Sequence, residues 1–151
     1  MTFYCINCFA ELHDDGGQCP RCGAAQNLDR RDYAAKLRRA LGHPIAETRR
    51  RVIFLLGEKR ITDAVGDLIE ILDHESDPFL VEEAATALGT IRGDQSLAAL
   101  VRAARHRSFL VRARAIEALV CAGGIWRERA LEIAEHDPSA MVRESARGKV
   151  E

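Results

Sequence analysis

Long apolar runs are missing from this chain of 151 residues. No stretch reaches the ~18 apolar residues that a membrane-spanning helix requires. The opening MTFYCINC has neither the basic start nor the apolar centre of a signal peptide. The expected location is therefore the cytoplasm, with no membrane partner. An excess of one charge is also missing. The formal net charge is −1, which gives no general pull towards nucleic acid or anionic lipid. Aromatic residues make up 5% of the chain, and alanine is plentiful, which favours closely packed helices over a β-sandwich. Catalytic signatures are absent as well. No serine stands by motif near a His–Asp pair, no phosphate-binding glycine loop occurs, and no carboxylate pair has an apolar setting. The chain is therefore expected to be non-enzymatic, with no catalytic residues. At this length it is one domain with a small module attached, able to bury roughly 70% of its unfolded surface.

Cysteine is present, but very unevenly. Four of the 5 cysteines lie in the first 22 residues: Cys5, Cys8, Cys19 and Cys22 form two C-x-x-C pairs. In a reducing compartment such pairs read as a metal site before two disulfides. Zinc takes four thiolates in a tetrahedron, and each C-x-x-C hook presents two from one tight turn. Pro20 shapes the second hook, and Gly23 lets its backbone fold back towards sulfur. Asp14, Asp15, Gly16 and Gly17 form the tip between the hooks. Closing the site contributes on the order of 10 kcal/mol of folding free energy. Four ligands leave no open position, so the expected cofactor is a structural Zn²⁺, not a catalytic one. A cycling dithiol fits less well. Cys121, among Leu119, Val120 and Ala122, reads as a small buried hydrophobe.

The stretch CINCFAELHDDGGQCPRCG resembles the short zinc ribbon found at the ends of many bacterial proteins. The C-x-x-C, the Glu-Leu that follows and the C-P-x-C-G carry the likeness. Phe9 stands where that family usually has glycine, and Gln18 where it often has an aromatic residue. These departures are expected to loosen the first hook and the hairpin core without removing a ligand. The ribbon is placed at residues 1–24, with 24–28 as a linker.

From residue 29 onward the chain repeats itself. Leu56-Gly57 matches Leu88-Gly89, 32 residues on, and Ala84, Ala87 and Leu88 match Ala115, Ala118 and Leu119, 31 on. Ala146 continues the series. In between, Val65, Leu68, Ile69 and Leu72 match Leu97, Leu100, Val101 and Ala104. A weaker copy has Ala130, Leu131, Ile133 and Ala134. Apolar residues at helical spacing predict eight helices over 29–41, 45–57, 62–73, 78–92, 94–105, 109–122, 125–136 and 138–149. Tyr33, Leu37, Ala40 and Leu41 are expected on the inner face of the first. Asp29, Thr62 and Asp94 are the expected N-caps, and Gly93 and Gly124 the stops. Gly89 gives way to Val120 in the next copy, which puts the close helix approach there in question. Each hairpin has one apolar side that it cannot bury alone, so the unit is stable only when stacked.

This pattern resembles HEAT-like repeats, in particular the short bacterial kind related to phycobilisome-lyase repeats. The likeness rests on Asp77-Pro78 with Leu80-Val81, on Ala84 to Gly89, and on Val111-Arg112 with Ala115, Ala118 and Leu119. Asp137-Pro138 with Val142-Arg143 and Ala146 opens the last copy. It covers about 120 of the 151 residues, with a period shorter than the ~40 of long HEAT repeats. The resemblance implies an all-α, right-handed solenoid over 29–151, with three full hairpins and a half-repeat at each end. It also implies a binding scaffold, since few members act as lyases.

Four histidines, His43, His74, His106 and His136, recur near the inter-hairpin turns at steps of 31, 32 and 30. Packed helices lie about 8–10 Å apart, too far for adjacent imidazoles to share a metal, so a role at helix C-termini is expected. Arg51, Glu83 and Arg114 occupy one repeated slot and Arg50, Glu82 and Ala113 its neighbour, so charges are expected to pair along the stack. Arg49, Arg50, Arg51, Lys59 and Arg60 form a basic patch without aromatics to stack on bases. The second-helix face is the expected partner surface. It carries Asp67 and Glu70, then Ser96, Ala99, Arg102 and Ala103, then Arg129, Glu132 and Glu135. Trp126 is read as a core anchor or a contact hot spot.

These features predict a protein-binding scaffold or adaptor, with Asp67, Glu70, Arg102, Trp126 and Arg129 as the candidate partner-binding residues. A nucleic-acid binder using the ribbon with Arg30, Arg31, Lys36, Arg38 and Arg39 is the first alternative, and a bilin lyase-like helper the second. The last helix, with Met141, Val142, Ala146 and Val150, is expected to leave an apolar flank for weak self-association.

Overall fold

The computed structural model of this protein describes residues 3–13, 16–26 and 29–147. The expected hairpin tip at Asp14 and Asp15, the linker residues Asn27 and Leu28, and the apolar Val150 lie outside the described residues.

The N-terminal module is built from two short strands, β1 (Phe3–Tyr4) and β2 (Glu11–Leu12). They pair antiparallel, with Phe3 opposite Leu12 and Tyr4 opposite Glu11. A single bridge joins Gln18 to Ala25, so the position that lacks an aromatic still holds the second hook's ladder. Among the described residues every element after it is helical: α1 (Tyr33–Ala40), α2 (Ala46–Glu58), α3 (Val65–His74), α4 (Pro78–Ile91), α5 (Asp94–Ala103), α6 (Phe109–Ala122), α7 (Gly124–Glu135) and α8 (Ala140–Arg147). The first-type helices α2, α4, α6 and α8 stack in one layer, and α3, α5 and α7 stack in the other. The expected α-solenoid of stacked helical hairpins is what the described residues form.

One continuous core runs between the layers. Leu80, Ala84, Ala87, Leu88 and Ile91, the stripe read from spacing, are all buried, as are Leu68, Leu100 and Leu119. The exceptions lie at the two ends. Tyr33 is 55% exposed and Leu131 40% exposed; they lie on α1 and α7, the first and last second-type helices. Val142 and Ala146 are buried while Met141 is exposed. Among the described residues the open flank expected on the last helix therefore narrows to Met141, because α8 packs against both α6 and α7.

The caps differ from expectation. Asp32, not Asp29, accepts the Ala35 amide and starts α1. Asp29 is instead taken up by Arg31. Asp94 is the first residue of α5, and Gly93 precedes it with no side-chain cap. Thr62 opens a 3₁₀ turn before α3, again without a side-chain cap. The true stop slot is Arg60, Arg92 and Gly123, with φ of 49°, 62° and 77°. Arg92, at ψ −166°, sits in a region that suits glycine and strains an L side chain.

Two glycines set the spacing of the first layer. A Cβ on Gly57 would stand 2.8 Å from Ala87 Cα, and one on Gly89 would stand 2.6 Å from Ala118 Cβ. The helices approach closely at both glycines, which lie 32 residues apart along the chain: Gly57 faces the Ala87 main chain, and Gly89 faces the Ala118 methyl. The neighbour that Val120 would meet falls at position 149, outside the described residues. The two sites differ in what obstructs the new atom, and this is testable by chemical denaturation. Gly89→Ala is expected to cost about 1–3 kcal/mol, and Ala118→Gly to restore most of it, since Ala118 Cα is 3.7 Å away. Gly57→Ala is expected to cost as much, and Ala87→Gly not to rescue it, because the obstacle there is main chain.

Candidate metal centre and inter-repeat turns

The two cysteine hooks are built alike. In the first, the Cys5 amide donates to Ala10 O at 2.9 Å and the Phe9 amide to Cys5 O at 3.0 Å; in the second, Cys19 donates to Ala24 O at 2.9 Å and Gly23 to Cys19 O at 2.8 Å. Gly23 has φ 72° and Phe9 φ 55°. Phe9 thus adopts the left-handed turn that glycine makes easily, and the expected loosening of the first hook does not occur. The Phe9 ring packs edge-on to His43 with centroids 5.3 Å apart, and the Arg39 guanidinium lies 5.5 Å above it. Tyr4 also meets His43 edge-on, with centroids 4.9 Å apart. Arg31, fixed by Asp29, donates to Ile6 O at 2.7 Å. The strain at Phe9 is offset by contacts that seat the ribbon on the α1–α2 turn.

The four ligand atoms converge. Cys5, Cys8, Cys19 and Cys22 place their Sγ atoms within 4.8 Å of one another. Cys5 and Cys22 are 3.6 Å apart, and Cys8 and Cys19 3.7 Å. A tetrahedral ion with Zn–S bonds of about 2.3 Å sets its sulfurs about 3.8 Å apart, so these residues fit a four-thiolate metal. Amides favour the ionised form. Cys5 Sγ accepts from Asn7 N at 3.3 Å and Cys8 N at 3.5 Å. Burial opposes the Cys5 thiolate, but these amides outweigh it and lower the thiol to about 6. Cys22 is also lowered, first by the Ala24 amide. The Ala24 counterpart at Cys8, the Ala10 amide, pulls the same way, yet burial and the other three sulfurs push Cys8 up to about 11. Among the described residues this is the one group of three or more Cys, His, Asp or Glu side chains close enough to share an ion.

The histidine ladder does not survive as one structural position. His43 and His106 occupy a slot three residues before the start of the first-type helix. His74 and His136 sit one residue earlier, at the ends of α3 and α7. The slot itself runs His43, Glu75, His106, Asp137, and all four do the same work. Each accepts the amide of the residue two further on: Ile45 N to His43 Nδ1 at 3.1 Å, Asp77 N to Glu75 at 3.1 Å, Ser108 N to His106 Nδ1 at 3.1 Å, Ser139 N to Asp137 at 2.8 Å. His43 and His106 therefore shape the start of the next helix instead of capping the end of the last.

A second residue follows this slot. Arg49 reaches from α2 to Glu75 at 2.6 Å, and Arg112 from α6 to Asp137 at 2.6 and 2.9 Å. Arg112 also binds the His106 carbonyl of its own turn, as Arg143 binds that of Asp137. The equivalent residue on α4 is Val81, and the turn ahead of it carries neutral His106 in place of an acid. Arginine thus appears on the helix where a carboxylate awaits it in the next repeat. Arg112 and Asp137 are 13% and 5% exposed, so their pair is well shielded. Asp137 is held below the usual carboxylate range, first by the Arg112 hydrogen bonds. Glu75 is lowered chiefly by the Asp77 amide. His106 is lowered by burial and then by Arg107 and Arg112, which keeps it neutral as an acceptor.

The charged slots on the first layer pair in part. Glu82 meets Arg114 at 3.0 Å across one repeat. Arg50 turns to Glu47 within its own helix, and Arg51 covers Phe54. Burial pushes the Glu83 carboxyl up.

The proposed partner residues are distributed along the second layer. Asp67 is paired with Arg38, Arg102 with Asp73 at 3.0 Å, and Glu70 stands 3.8 Å from His74. Trp126 is half-buried against the core with Arg129 6.0 Å over its ring. Ser96, Ala99 and Ala103, placed on the outer face of α5 by spacing, are buried, because α5 is flanked by α3, α4, α6 and α7. Cys121 is exposed, not buried: it lies on the outer side of α6, opposite the core stripe.

A four-cysteine knuckle seated on stacked helical hairpins defines a repeat protein of the α-solenoid class. The model for HEAT repeats matches residues 24–120, and the chain belongs to that family. The match is to HEAT repeats at large and does not single out the lyase-related type. No curated protein is significantly similar to the chain.

The buried clamp yields a pH test. A carboxylate whose folded pKa is lowered contributes stability above its ordinary pKa and loses it as pH falls through the folded value. Asp137→Asn is expected to lower stability by about 3 kcal/mol at pH 7. Urea unfolding between pH 7 and 3 should show this gap narrowing below about pH 4; a gap that stays constant contradicts the clamp.

Proposed function

We propose that the chain is a non-enzymatic scaffold that binds another protein through its repeat surface, with one Zn²⁺ held by Cys5, Cys8, Cys19 and Cys22 as a structural staple. The repeat stack carries the reading: it is a long, regular helical surface, and such surfaces serve as binding faces across solenoid families. Four cysteine sulfurs favour zinc over harder ions, and a full tetrahedron leaves no position for substrate. When bound, the ion supplies closure of a module too small to have a core of its own.

A protein partner is favoured over nucleic acid by where the cations go. Arg31 is taken up by Asp29, Arg38 by Asp67, and Arg39 covers Phe9. Of the five basic residues in the stretch just after the ribbon, Arg30 and Lys36 are left to meet phosphates. The bilin-lyase alternative has no observation in its favour.

Two measurements test the reading. Metal analysis of the purified chain should find one zinc per molecule, and Cys5→Ser with Cys22→Ser should lose it while most helical circular dichroism is kept. Metal-free wild type would contradict the staple. Affinity capture with cross-linking mass spectrometry should recover a protein whose cross-links fall on α3, α5 and α7. Recovery of nucleic acid instead, lost as salt is raised, would contradict the scaffold.

A further inference from the structure

The four inter-repeat turns are equivalent in backbone and unequal in charge. They read Gly42-His43-Pro44, His74-Glu75-Ser76, Arg105-His106-Arg107 and His136-Asp137-Pro138. The third has arginine on both flanks and no acid at the centre. The helix that would clamp this turn, α4, has Val81 in place of the arginine. Arg105 and Arg107 are exposed, and among the described residues neither guanidinium has a side-chain or backbone acceptor. Arg112, beside them, is spent on Asp137.

These residues border a cleft of about 660 Å³ between the α5–α6 and α7–α8 turns. Arg105, His106 and Arg107 form one wall; Glu132, His136 and the buried Asp137 form the other. His106 accepts the Ser108 amide through Nδ1, so its neutral ring has Nε2–H to donate. In the second and fourth turns the fold supplies its own carboxylate, Glu75 or Asp137. In the third, the arginines are present and the carboxylate is not.

We propose that this cleft docks an acidic side chain of a protein partner, its carboxylate held between Arg105 and Arg107 with His106 as a further donor. The proposal rests on the scaffold reading and names the chemistry of its partner. A carboxylate is favoured over a phosphate dianion because Glu132 and Asp137 face the same space and would repel the second charge. Guanidinium groups take carboxylates through paired N–H donors, which gives direction as well as attraction.

The probes are a hexaglutamate peptide and inorganic phosphate, each titrated at low ionic strength into the ¹⁵N-labelled whole chain. Hexaglutamate is expected to move the amide signals of residues 104–107 and 132–137 first. The double variant Arg105→Gln, Arg107→Gln should weaken it about tenfold, while Arg127→Gln with Arg147→Gln leaves it unchanged. The His106 titration should move to higher pH with peptide bound, which simple loss of surface charge elsewhere does not cause. Shifts spread evenly over all basic surfaces, or undiminished in the double variant, would overturn the proposal. Tighter binding of phosphate at the same residues would overturn it in favour of a phosphoryl ligand. A protein partner captured equally by wild type and the double variant would remove this site and leave the scaffold reading standing. Intact peptide shifts with no protein partner captured would support the site and count against the scaffold.

Discussion

An arginine that leaves its own hairpin to grip the carboxylate shaping the next turn is the tie on which this stack depends. No hairpin here has enough apolar area to stand alone. Stacking supplies the area, but apolar contact by itself sets register weakly. Arg49 on Glu75 and Arg112 on Asp137 set it strongly, because each pair joins a helix in one repeat to the first amide of a helix in the next. The close contacts at Gly57 and Gly89 then fix how near the helices come. Register and distance are thus set by different residues, polar at the turns and glycine in the layer.

The ribbon is joined to this stack instead of merely preceding it. Phe9 accepts a backbone conformation that suits glycine, and its ring lies against His43 and Arg39. His43 is itself the first member of the turn slot. The same imidazole therefore shapes the start of α2 and receives the four-cysteine module. A strained residue at such a junction is expected where position is worth more than local comfort. Zinc would hold the knuckle closed, and the knuckle would hold Phe9 in place.

Much of this was legible in the residues alone. The four cysteines, the eight helices and the core stripe at Leu80, Ala84, Leu88 and Ile91 follow from spacing, which depends only on local geometry. What spacing hid was partnership across repeats. The histidines looked like one ladder because their intervals are nearly equal, yet they fall in two adjacent slots, and Glu75 and Asp137 share the work of His43 and His106. The signal was available: arginine at 49 and 112 with an acid 25 or 26 residues on, and valine at 81 with a histidine 25 residues on. Caps were misplaced for a different reason. Asp29 competes for Arg31, and α3 begins with a 3₁₀ turn, neither of which a capping rule sees. Arg92 and Phe9 broke the glycine rule because tertiary contacts and chain direction outweigh about 1 kcal/mol of local strain.

Amide hydrogen exchange at the turn slot tests the central claim most directly. If arginine clamps hold the repeats in register, the amides of Asp77 and Ser139, bound to clamped carboxylates, exchange only when the stack opens as a whole. The Ser108 amide, bound to unclamped His106, then exchanges faster, through local opening of its turn. Equal protection at all three, or rapid exchange at Asp77 and Ser139, would contradict the account.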